Sequence, residues 1–165
     1  MHKAITQRLT SLKNRSFVES LNCYSQVLTY DEIDTILPGE QTIIFDVAGN
    51  QGVLEKLHRH LGESISYSGA VGKTHWDAGA FGAATGLPGA KPQFWSAPEQ
   101  IAVLRERIGS GEMMRQMSAA MADFLQAAQG WIQISESRGP TEMADKIVAM
   151  LDGDVNAQDG IILRP

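Results

Sequence analysis

The sequence predicts an α/β fold in which helices flank a parallel sheet, followed by a largely helical C-terminal region. Three observations carry that prediction. Short apolar runs alternate with stretches of helical period along the first half of the chain; residues 42–76 read as one complete strand–helix–strand unit; and beyond residue 92 the pattern turns helical before a last apolar run.

The unit at 42–76 organises the rest. Ile43, Ile44, Phe45 and Val47 form a run rich in β-branched residues, which suits a strand buried on both faces of a parallel sheet. From Val53 the apolar residues fall at Val53, Leu54, Leu57 and Leu61, one helical face, with Glu55, Lys56 and Arg59 turned outward. Gly62 stops that helix. Ile65, Tyr67 and Val71 make a second strand that ends at Gly72. Strands joined by one such helix lie parallel, with a right-handed crossover. The loops after them, Ala48-Gly49-Asn50 and residues 72–76, therefore open on the carboxyl edge, where such sheets bind ligands.

The remaining elements follow in chain order. Residues 5–12 are a polar strand, and Asn14 is placed to cap a short helix with Phe17, Val18 and Leu21 on its apolar face. Thr10, Ser11, Lys13, Asn14 and Arg15 gather in the turn between them. Residues 26–30 form the next strand, and 31–38 an acidic connection. Residues 78–92, with Gly79, Gly82, Gly86 and Gly89, read as a long mobile loop. A helical region covers 99–129, interrupted at Gly109-Ser110-Gly111; its row of Met113, Met117 and Met121 reads as core packing. Residues 131–134 are a short strand, Gly139-Pro140 introduces a helix, and 161–163 form the closing strand.

Composition limits the function classes. The chain has 165 residues, 43% hydrophobic and 20% charged, which fits a soluble globular protein of about one domain. Its net charge of -5 makes generic nucleic-acid binding improbable. No apolar run approaches a membrane span, and the N-terminus lacks the apolar core of a secretory signal. Cys23 is the only cysteine, so no intrachain disulfide forms; a reducing, cytoplasmic setting and a buried, inert thiol are expected.

Together these residues resemble a known superfamily. The run 45–72 is similar to the fourth and fifth strands of the cofactor domain in medium-chain dehydrogenases/reductases, near the quinone oxidoreductase branch; residues 9–34 resemble its second and third strands, and 142–165 its closing helix and strand. The phrases at 71–76 and 94–101 suggest an uncharacterised bacterial offshoot. The resemblance implies a partial Rossmann-like sheet lacking the first strand and the glycine-rich turn, because no Gly-x-Gly-x-x-Gly stands between a strand and a helix. It divides the chain into a partial dinucleotide-binding domain, 1–92, with its Gly-rich loop at 78–92, and a C-terminal region, 93–165. In the strand order 3-2-1-4-5-6 the missing strand lies between the one at Leu9 and the one at Ile43. Those two either pair directly or keep open inner edges.

By that resemblance the cofactor-binding residues are Thr10, Ser11, Lys13, Asn14, Arg15, Ala48, Gly49, Asn50, Gly72, Thr74 and Trp76, with His75 as the catalytic candidate. Hydroxyls and cations at 10–15 suit the 2′-phosphate of NADP, and the alternative is a solvated helix start. Asn50 is equally readable as a helix cap, and His75 as a loop histidine packed on Trp76. His58 and His60 read as solvated, and Asp46 needs a backbone or hydroxyl partner. One cysteine cannot build the zinc sites of alcohol dehydrogenases. Two functions remain: a truncated relative of an NADP-dependent oxidoreductase, inactive alone and partnered by a chain carrying the missing half; or a non-catalytic module that binds or self-associates through open edges.

Overall fold

The computed structural model describes residues 5–39, 41–72 and 86–165. It is a mixed α/β structure of small parallel sheets flanked by helices. In order, β1 (Gln7–Thr10), α1 (Arg15–Ser20) and β2 (Gln26–Thr29) form one unit; β3 (Thr42–Asp46), α2 (Gln51–Leu61), β4 (Ile65–Ala70) and β5 (Gln93–Phe94) a second. Helices α3 (Ala97–Ile108) and α4 (Ser110–Ala128) lead to a third, β6 (Gln133–Arg138), α5 (Gly139–Leu151) and β7 (Asp159–Arg164).

Every described strand pair is parallel, in three separate sheets: β1-β2, β3-β4-β5 and β6-β7. Strands β1 and β3 do not pair, so among the described residues each keeps one edge without a strand partner. Helix α2 starts on the Asn50 side chain, which accepts the Val53 N–H at 3.2 Å, and stops at Gly62 with φ 55°. Its apolar face joins Leu28, Ile33, Ile36, Ile44 and Ile65 in a core shared by the first two units.

Several expectations change. Ile44 is buried under α2, but Ile43 and Phe45 are 60% and 56% exposed, so β3 is covered on one face only. Alternation sends Ile43 and Phe45 to the side opposite α2, and no described element packs there. Of the Gly-rich stretch, 78–85 lies outside the described residues, while 86–92 forms anchored turns: Ala90 N–H donates to Ile65 O at 3.0 Å and Gly89 N–H to Glu63 at 3.3 Å. Beyond it β5 adds a strand that the sequence reading lacks. The acidic connection is a 3-10 turn, Tyr30–Thr35, closed by a capping box of Thr29 and Glu32. Of the methionine row only Met113 is buried; Met117 and Met121 face outward. Cys23 is exposed, because it falls in the open connection from α1 to β2.

Candidate functional site

The turn after β1 is built around an ion network. Thr10 is buried, Ser11 extended, and a single 3-10 turn at Leu12–Asn14 delivers the chain into α1. Asn14 occupies the cap position but makes no side-chain cap bond. Arg15 donates to Glu19 at 3.0 Å and, through one terminal nitrogen, to both oxygens of Glu32 at 2.9 Å. Glu32 also accepts the Thr29 N–H at 2.8 Å. That backbone bond, followed by Arg15, holds the Glu32 carboxyl below the usual carboxylate range. Glu19, then Glu32, raises the already high value of Arg15. The network ties α1 to the turn after β2 and leaves Arg15 flanked by two carboxylates. Lys13 is exposed and has no ion pair among the described residues.

The turns after β3 and β4 meet at one sheet edge. Asp46 finds the partner it needs: its Oδ1 accepts the Gly49 N–H at 2.8 Å, closing a turn in which Gly49 has φ 72°. Its carbonyl accepts the N–H groups of Val71 at 2.8 Å and Gly72 at 3.2 Å. A Cβ on Gly72 would lie 2.6 Å from the Val47 carbonyl oxygen, so only glycine lets the two strand ends approach this closely. Ala48, Gly49, Asn50 and Gly72 are thus brought together. Asn50 acts as the helix cap, which occupies its side-chain oxygen. The turn at 10–15 stands on the other sheet, and Thr74, His75 and Trp76 lie outside the described residues.

Of the two helix histidines, His58 is sealed from solvent and His60 is half-buried. His58 is 0% exposed: its Nδ1 lies 3.0 Å from the Pro88 carbonyl and its Nε2 3.0 Å from Ser68 Oγ. His60 Nε2 sits 2.7 Å from the Ile36 carbonyl. The signal was positional: His58 falls on the stripe of Leu54, Leu57 and Leu61, so its polar residue type misleads. His58 and Ser68 resemble a base–nucleophile pair in spacing alone, since both are sealed from solvent.

A crevice of about 130 Å³ is lined by Lys13, Asn14, Phe17, Asn156, Ala157 and Gln158. The Phe17 ring also meets Trp131 edge-on, ring centroids 5.6 Å apart. Small-molecule pockets run from about 300 to 1,000 Å³. This one suits a phosphate or ribose, not a whole dinucleotide. Lys13 and Asn14 offer it a cation and an amide, whereas on the second sheet Gly49 is buried and its N–H, like that of Gly72, is taken by Asp46. No described turn supplies the row of N–H groups that a pyrophosphate needs, so the fit is partial. Among the described residues no cluster of His, Cys, Asp or Glu could hold a metal. The contribution of residues 156–158 was illegible in the sequence, where nothing singles them out.

Residues 4–156 match the model of a family described as "Protein of unknown function (DUF2855)". No curated protein and no solved structure matches the chain.

Proposed function

The chain belongs to the DUF2855 family, whose function is unknown, and on that premise we propose that it is a relative of the NADP-dependent medium-chain oxidoreductases that keeps part of a dinucleotide site and, alone, binds NADPH weakly without turning over a substrate. The observation that carries this reading is the convergence of Ala48-Gly49-Asn50 and Gly72 at the carboxyl edge of β3 and β4, with strand ends so close that a Cβ on Gly72 has no room. Lys13 supports it as a cation open to a 2′-phosphate, in the crevice shared with Asn156 and Gln158. When bound, the cofactor would supply the hydride. The chain's own part would be to hold the ribose-phosphate end and keep the sheet edge narrow. The proposed setting is the cytoplasm; no described helix is long and apolar enough to cross a membrane.

The test is a calorimetric titration of the purified chain with NADPH and with NADH. The expected result is weak binding that favours NADPH. A dissociation constant of about 1 μM or tighter would refute the partial site, and no heat at millimolar NADPH would remove the cofactor altogether. A second reading, a non-catalytic assembly module, is favoured by one observation: β3 exposes Ile43 and Phe45 on an uncovered sheet face.

A further inference from the structure

Helix α4 carries an apolar row that the described residues leave largely open, Phe124 alone meeting a ring, that of Trp131, with centroids 6.4 Å apart. Met114, Met117, Met121 and Phe124 follow one another at spacings of three, four and three residues, the heptad alternation of a helix-pairing seam. All four are exposed, Met121 by 57%. At the next position in the series Ala128 is already buried, so the open seam spans about three helical turns. The positions flanking it are Ser118, Ala120, Leu125 and Ala127. None is charged, and three are small. The charges of α4, Glu112, Arg115 and Asp123, fall at other heptad positions, and Glu112 and Arg115 pair with each other.

We propose that α4 is the centre of a homodimer interface, in which the Met114–Phe124 seam packs against the same seam of a second copy of this chain. A partner of opposite charge would need complementary charges at the flanks, and there are none; an uncharged, self-complementary seam accepts its own copy without repulsion. Exposed area points the same way. The chain exposes 11718 Å², against about 8,000 Å² for a compact monomer of 17.9 kDa. With the residues outside the described set counted at the full area of an unfolded chain, an excess of about 1,500 Å² remains. Homodimer interfaces bury roughly 1,000–2,500 Å² from each copy; the excess is of that size, and the α4 seam contributes to it together with exposed apolar residues of β3, β6 and α5. The proposal does not depend on cofactor binding.

Sedimentation equilibrium of the full chain, from about 1 to 100 μM, reads the result. The wild type should fit a monomer–dimer equilibrium, and Met121→Glu, which places a carboxylate in the seam of both copies, should weaken it by roughly a hundredfold or more. Because Met121 is exposed in the monomer, far-UV circular dichroism of the variant should stay unchanged. A second readout covers a variant that does not fold. In a Cys23→Ser background, Met121→Cys alone, or mixed with Met117→Cys, should form a disulfide-linked dimer on mild oxidation, and Gln126→Cys on another face should not. A monomer at all concentrations, a dimer indifferent to Met121→Glu, or equal cross-linking through Gln126→Cys would overturn the proposal.

Discussion

Replacing His58 by leucine tests the core most directly. The Pro88 carbonyl can only accept, so Nδ1 carries the proton toward it, and in the neutral ring Nε2 accepts the Ser68 O–H. Leucine fills most of the imidazole volume but answers neither group. Ser68 is 1% exposed, so its hydroxyl and the Pro88 carbonyl would both lose a buried partner, at about 1–3 kcal/mol each. The expected loss is about 4 kcal/mol. With an unfolding entropy of about 2.1 cal/mol/K per residue, that corresponds to a fall in Tm of about 12 °C. Urea unfolding followed by circular dichroism measures it. Adding Ser68→Ala removes one stranded group and should restore about 1–2 kcal/mol. A loss below about 1 kcal/mol for His58→Leu, or no recovery in the double variant, would refute the view that this histidine holds residues 86–90 against α2 and β4.

Three further outcomes follow from the same geometry. Gly89 has φ 77° and a Cβ there would collide with the Gly62 carbonyl, whereas Gly86 has φ 75° and open space; Gly89→Ala should cost more than about 2 kcal/mol and Gly86→Ala only about 1, as read by urea unfolding. The folded-state pKa of Glu32 lies below its unfolded value, so its contribution is full above the unfolded value and is lost as pH falls through the folded one. Glu32→Gln should therefore flatten the acid limb of a Tm-against-pH curve, and an unchanged limb would count against the Thr29–Glu32–Arg15 network. If NADPH binds, Lys13→Ala should weaken it more than NADH; Arg15→Ala, already engaged by Glu19 and Glu32, should chiefly lower stability, and equal losses for both cofactors would remove the 2′-phosphate from that turn.

The elements with strong periodicity were legible in the sequence. Val53, Leu54, Leu57 and Leu61 placed α2 to within two residues of its start, because a four-residue apolar stripe has no competing reading. Weak strands were not. β6 was expected at 131–134 but runs Gln133–Arg138, since Gln-Ile-Ser-Glu-Ser-Arg has little apolar content and only its pairing with β7 makes it a strand. β5, two residues long, carries no period at all. In the candidate site, the need of Asp46 for a partner could be argued from residue type; the close approach of Gly72 to Val47 and the Arg15–Glu32 bond could not, because both join positions far apart in the chain, Arg15 and Glu32 by seventeen residues. The Thr29-x-x-Glu32 pattern was present in the letters, yet an acidic run reads first as a solvated connection.

The pairing of each strand only with its neighbour in sequence has a kinetic consequence. Partners such as Gln7 and Gln26, Gly69 and Gln93, or Gln133 and Asp159 are joined by short stretches of chain, and no described ladder joins one sheet to the next. Chains dominated by such sequence-local contacts close small loops first and fold fast for their size. They also open in pieces, because loss of one ladder does not oblige the others to break. Amide hydrogen exchange should thus separate the strands into groups with distinct opening free energies: β6 and β7 with α5 exchanging as one group, and the amides of β3, β4 and α2, which share the buried core, the last to exchange.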